Sequence, residues 1–155
     1  MLRRNEDQVG ILRSCEYIQG LIKEEIDAGI PANRIVVGGF SQGAAVSLIG
    51  GLTSKFKLAG IVVLSGYLAL SGQFQSLLPS PEFNKQTPIF MGHGDRDQVV
   101  HPALGNKSYE MLKEWGYDVK FKVYPGLEHS ADPEEIDDVA EFIGKVLEDE
   151  GKSEL

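Results

Sequence analysis

Apolar residues recur at Val9, Leu12, Cys15, Ile18, Leu21, Ile22 and Ile26, the spacing of one helix face. Asn5 followed by Gln8 has the form of a capping box at the start of that helix, and Gly29 and Pro31 stop it. The pattern then changes. Arg34 to Phe40 is an almost unbroken apolar run, which predicts a strand covered on both faces. A helix is predicted from Gln42 to about Ser54, then a second strand from Leu58 to Leu64. Tyr67 to Thr87 has no clean period: Leu68, Leu70, Phe74, Leu77 and Leu78 are scattered among Ser, Gly and Pro, and a loop of that length is often functional. Pro88 to His93 reads as a third strand and Pro102 to Trp115 as a helix closed by Gly116. Tyr117 to Tyr124 alternates apolar residues with lysine, as a strand nearer a sheet edge does. Asp132-Pro133 opens a last helix with an expected buried stripe of Ile136, Val139, Ala140, Ile143 and Leu147.

Strands alternating with helices predict an α/β fold with a mostly parallel sheet and right-handed crossovers. The 155 residues suffice for one domain with a real core, and no internal repeat is visible. The expected division is a domain over residues 1–148 followed by an acidic tail over 149–155.

Charge and cysteine content narrow the function classes. A net charge of −8 argues against nucleic acid or an anionic membrane surface as partner. No apolar run approaches the ~18 residues of a spanning helix. Cys15 is the only cysteine, so no disulfide forms within the chain, and its place on an apolar face makes it filler rather than nucleophile. A reducing compartment follows as the expectation: the cytoplasm, with the nucleus left open as a second location. No metal-ligand spacing or cofactor motif is present, so none is expected.

The chemistry concentrates at Gly39-Phe40-Ser41-Gln42-Gly43, directly behind the first strand and ahead of a helix. This G-x-S-x-G in strand–turn–helix context predicts a nucleophile elbow, with both glycines relieving crowding around the serine. The competing expectation is a plain turn with Ser41 as helix N-cap. Other chemistry-bearing residues fall on the same rim, at the carboxyl ends of the strands. They are Asp95 and Asp97 after the third strand and His129 after the fourth. Serine, acid and histidine thus occur in the chain order of the α/β-hydrolase triad. A serine hydroxyl needs a base, imidazole titrates near neutrality, and a carboxylate orients the imidazole. The residues alone leave either Asp95 or Asp97 as the acid. His93 reads as a structural histidine bonded to loop backbone, and His101 as exposed. The N–H of Gln42, following the serine, is the expected first oxyanion donor.

Ile30-Pro31-Ala32-Asn33-Arg34-Ile35 leading into Gly38-Gly39-Phe40-Ser41-Gln42-Gly43 resembles the acyl-protein thioesterases and related small carboxylesterases. So do Leu64-Ser65-Gly66-Tyr67-Leu68, Gly92-His93-Gly94-Asp95-Arg96-Asp97 and Gly126-Leu127-Glu128-His129-Ser130, and the likeness runs over nearly the whole chain. The resemblance implies an α/β-hydrolase fold and a cytosolic serine hydrolase that removes long-chain acyl groups from protein cysteines. S-acylated proteins or acyl esters would be its substrates. It implies Ser41 as nucleophile, Asp97 as acid and His129 as base. It also makes Leu68, Leu70, Phe74, Leu77 and Leu78 one wall of an acyl channel. A short-chain carboxylesterase or lysophospholipase, or a non-catalytic binding module, are the alternatives. Ala69 stands where the family usually has proline. The family's first strands and its H-G-L-G-D-type oxyanion loop have no counterpart, so the expectation is a partial domain of reduced activity. In such a domain the first strand would form an open edge, a route to self-association.

Overall fold

Four parallel strands lie side by side in chain order: β1 (Val36–Phe40), β2 (Gly60–Leu64), β3 (Ile89–Gly94) and β4 (Val119–Tyr124). A computed structural model describes residues 6–152, with the helical backbone alone for 149–152. Helices α1 (Gln8–Asp27), α2 (Gln42–Leu52), the short α3 (Phe74–Leu77), α4 (Pro102–Glu114) and α5 (Pro133–Lys152) surround the sheet. The register pairs Phe40 with Leu64, Leu64 with Gly92, and Gly94 with Tyr124, so every strand ends on one rim. Among the described residues no helix is long and apolar enough to cross a membrane.

The main core lies where α1, α2 and α4 meet the sheet. Ile61, Val63, Ile89 and Met91 point into it from the strands, and Leu48, Ile49 and Leu52 from α2. Helix α2 is buried without interruption from Ala44 to Leu52, because α1 covers its outer side. Helix α5 covers the opposite face: Phe142 and Val146 sit against Gly60, where a Cβ would come within 3.1 Å of the Phe142 ring. Arg34 Nη1 donates to the Leu147 carbonyl at 2.8 Å and fastens that helix.

Several expectations are corrected. The cap of α1 is Asp7, whose side chain accepts from the Gly10 N–H at 2.9 Å; Asn5 lies outside the described residues. On α1 the buried positions are Ile11, Cys15 and Ile22, whereas Val9 is 68% exposed. β1 is not fully covered on its faces, since its residues are half-buried or exposed and Phe40 is 41% exposed; its outer edge is open as well, because among the described residues it pairs only with β2. On α5, Ile136 faces out, while Glu135 is fully buried and Phe142 and Val146 do the packing. The helix continues through Lys152, into the stretch expected as tail; residues 153–155 lie outside the described residues.

The long connection after β2 is folded onto the core. Leu68, Leu70 and Phe74 are at most 3% exposed, and Phe74 stacks on Trp115 at 5.6 Å between ring centroids. Ser108 on α4 accepts the Leu68 N–H at 2.8 Å, and Glu6 accepts that of Leu70 at 3.1 Å.

Glu135 is the charge this packing accommodates least well. Its carboxyl lies against β3, where a Cβ on Gly92 would be 2.7 Å from Oε2, and neither oxygen has a hydrogen-bond partner among the described residues. Burial, helped by the charges of Asp132 and Asp138, pushes its pKa up to about 7. Below the ordinary carboxylate range the group is protonated folded or unfolded and adds no pH dependence to stability. As pH rises toward 7, the unfolded chain releases the proton first, so stability is lost across that window. Glu135→Gln should therefore stabilise the fold at about pH 8 relative to about pH 5, by up to about 3 kcal/mol. Urea unfolding at both values checks this, and an equal effect at the two would contradict it.

Candidate active site

The turn from β1 into α2 is forced by contact between backbones. A Cβ on Gly39 would lie 2.5 Å from the Gly43 carbonyl carbon and 2.8 Å from the Ala44 nitrogen, so only glycine fits. The expected crowding at Gly43 is corrected: nothing lies within 4 Å of the corresponding position there. Between them Ser41 takes φ 59 and ψ −119, a backbone conformation that non-glycine residues rarely adopt. The Ser41 N–H donates to the Leu64 carbonyl at 2.8 Å, and its carbonyl accepts from Ala45 at 3.1 Å. Its side chain makes no cap bond to the helix, which removes the N-cap alternative. Instead Oγ lies 2.9 Å from Nε2 of His129.

His129 arrives on the loop between β4 and α5. That loop crosses directly over the end of β3: a Cβ on Gly94 would fall 2.0 Å from the Leu127 carbonyl oxygen. Arg96 N–H donates to the same carbonyl at 3.0 Å, and Asp95 Oδ1 accepts the Gly126 N–H at 2.7 Å. The His129 ring rests on Phe40 at 4.7 Å between centroids, and its Nδ1 is 2.8 Å from Asp97 Oδ2. The two acids left open by the residues alone thus divide the work. Asp95 ties down the loop backbone, and Asp97 meets the imidazole.

Asp97 is 2% exposed. Burial alone would raise its pKa, but the hydrogen bonds from His129, Val100 and Val99 outweigh it and hold the carboxyl below the usual range. The carboxyl is therefore ionised at neutral pH where it meets the His129 ring. Gln42 starts α2, so its N–H is among the first-turn donors that a helix leaves unpaired, beside the positive end of the helix dipole.

The leucines and Phe74 named for an acyl wall are placed differently. Leu68, Leu70 and Phe74 belong to the core, and Leu77 and Leu78 pack against it half-buried. Next to Gln42 and Gly43, between α1 and the start of α2, lies an open groove of about 810 Å³, lined by Ile11, Ile18, Val46 and Tyr67 together with the charged Glu6, Asp7 and Arg13. Two of these were legible only as stripe or helix residues. Their signal was adjacency to Gln42 and Gly43, which requires the packing of α1 on α2. His101, exposed as expected, caps α4 by accepting the Ala103 N–H at Nδ1, 3.1 Å away.

With this geometry in place, comparison with known proteins is direct. A family model described as phospholipase/carboxylesterase matches residues 2–147. The chain belongs to that family. This carboxylesterase-family chain is 57% identical to acyl-protein thioesterase 1 of Neurospora crassa over 99% of its own length and 65% of the relative's. It is 50% identical to acyl-protein thioesterase 1 of Aspergillus fumigatus over 97% of itself and 64% of that protein. It thus spans just under two thirds of the length of these relatives. Among solved structures, Arabidopsis thaliana SOBER1 superposes with a TM-score of 0.85 at 32% identity, over 91% of this chain and 66% of that one. Zea mays acyl-protein thioesterase 2 superposes at 0.80 with 29% identity, covering 94% and 69%. The α/β-hydrolase fold is established by these matches together with the parallel sheet.

Gly39→Ala should destabilise the protein by about 1–3 kcal/mol, because backbone must move to admit the methyl. Gly43→Ala should be neutral or stabilising by up to about 1 kcal/mol, as a helix position with free space. Thermal unfolding of the two variants checks the pair, and equal losses would remove the close approach as the cause.

Proposed function

We propose that this chain carries a serine-hydrolase site that cleaves acyl thioesters on protein cysteines. The supporting observation is the continuous contact from Ser41 Oγ through both nitrogens of His129 to Asp97 Oδ2, at 2.9 and 2.8 Å. The substrate class is supported by the names of its relatives, the acyl-protein thioesterases of Neurospora crassa and Aspergillus fumigatus.

In this reading Ser41 Oγ attacks the thioester carbonyl carbon as His129 Nε2 takes its proton. The negative charge forms on the carbonyl oxygen, where the Gln42 N–H and the α2 dipole stabilise it. The C–S bond breaks, and the cysteine sulfur leaves with the proton from His129. Water then attacks the acyl-serine, gives its proton to His129, and the fatty acid departs as the proton returns to Ser41. Asp97 keeps Nδ1–H bonded throughout, which fixes Nε2 as the base and favours the imidazolium of each step. The acyl chain takes the groove beside Gln42 and Gly43, against Ile11, Val46 and Tyr67. The family description also names phospholipase and carboxylesterase chemistry, so oxygen esters are the second reading.

Hydrolysis of a palmitoylated cysteine peptide, compared with an acetyl ester, tests the proposal. Ser41→Ala should lower either rate by about 10⁴-fold. Retention of most activity would overturn the assignment. Faster turnover of the acetyl ester would favour the second reading.

Asp97→Asn should cost about 10⁴-fold in kcat, whereas Asp95→Asn should cost far less. Asp95 holds only loop backbone. Steady-state kinetics of the two variants decide this, and the opposite ranking would transfer the role to Asp95.

A further inference from the structure

His93 lies on β3 outside the three-residue contact chain, buried to 1% exposure. Its Nε2 is 2.7 Å from the Val100 carbonyl oxygen. A carbonyl can only accept, so Nε2 carries the proton. The same nitrogen is 3.4 Å from Asp97 Oδ2. The N–H of Val100 in turn donates to Asp97 Oδ1 at 2.9 Å, as does that of Val99. The Val100 residue is therefore held at both its polar groups: at its carbonyl by His93, at its N–H by Asp97.

The outer side of this turn offers no support, since Gln98 and Val99 are exposed. The ring that anchors it is itself fixed. Helix α4 backs it at Gly105, where a Cβ would stand 2.6 Å from His93 Nδ1, and the Phe121 ring is on hand at 6.5 Å. Because Oδ1 of Asp97 is taken by the two backbone N–H groups, Oδ2 is the oxygen left to meet His129 Nδ1 at 2.8 Å.

We infer that His93 is a positioning residue, which through the Val100 carbonyl holds the turn that aims Asp97 at His129. The inference rests on the hydrolase reading for its effect on rate, but not for its geometry. Without the His93 donor, the Val100 carbonyl is left unbonded in a buried place and the turn loses its inner anchor. The carboxylate then no longer holds one orientation toward the imidazole.

The test compares His93→Leu and His93→Gln in this chain, with circular dichroism to establish folding. The hydrogen-bonded Nδ1–H of His129 is followed as a low-field proton resonance, alongside kcat and KM for the acyl peptide. His93→Leu should abolish the resonance and lower kcat by about 100-fold, with KM nearly unchanged. His93→Gln, whose amide can donate to the Val100 carbonyl, should recover most of both. A folded His93→Leu protein with resonance and kcat intact would overturn the inference, as would a glutamine variant no better than leucine. If His93→Leu does not fold, Gly105→Ala carries the test by pressing a methyl on the ring. A weakened resonance there supports the role, and an unchanged one overturns it. A wild-type protein that shows the resonance without hydrolysing the peptide would sink the hydrolase reading alone. One that lacks the resonance would sink the positioning role whatever its activity.

Discussion

The structure depends on one close approach, the backbone of Gly39 against that of Gly43 and Ala44. It turns the chain from β1 into α2 within a single residue and forces Ser41 into a positive φ. Such a conformation costs a non-glycine residue about 1–3 kcal/mol. The surroundings offset it: the Ser41 N–H closes onto the Leu64 carbonyl, and α2 behind it is buried from Ala44 to Leu52. The strain and the burial have one outcome. The hydroxyl is lifted above the rim, and the first N–H groups of α2 lie beside it.

The other half of the site is held by loop on loop. The His129 loop passes so close over Gly94 that no side chain fits between them, and the Leu127 carbonyl is bonded by Arg96. Asp95 and Asp97, two residues apart, bind the loop backbone and the imidazole. Asp97 and His129, and through His129 Ser41, are therefore joined from separate strand ends that cannot shift independently. Parallel pairing of β3 with β4, ending at Gly94 opposite Tyr124, sets both loops at one height.

Much of this was legible in the chain. The elbow, the order of serine, acid and histidine, and the alternation of strands and helices are local patterns, and local patterns survive folding. Elements that depend on who packs against whom were read less well. Periodicity cannot say how far neighbours cover a strand's faces, so the apolar run of β1 suggests more burial than its half-buried and exposed residues show, whereas the open edge expected from the resemblance is present among the described residues. The same limit applied to α5, where the buried position is a carboxylate, Glu135, that no hydrophobic count would select. The resemblance makes the leucines after β2 a channel wall, and an aperiodic run of residues cannot by itself separate a wall from core. Leu68 and Leu70 are core, their backbone N–H groups bonded by Ser108 and Glu6, while Leu77 and Leu78 pack against the core half-buried. The groove was invisible in sequence for the converse reason: α1 and the elbow meet only in space. Asp95 and Asp97 could not be separated by residue type, since the distinction is which one reaches the ring.

The proposed chemistry turns on Ser41 being a hydroxyl activated by His129. Its most direct measurement is the mass of the intact protein after exposure to a fluorophosphonate, with the modified peptide located by fragmentation. A single adduct on Ser41 is expected, formed rapidly and lost when His129 is replaced by glutamine. Labelling elsewhere, or labelling of Ser41 that proceeds equally well without His129, would contradict it.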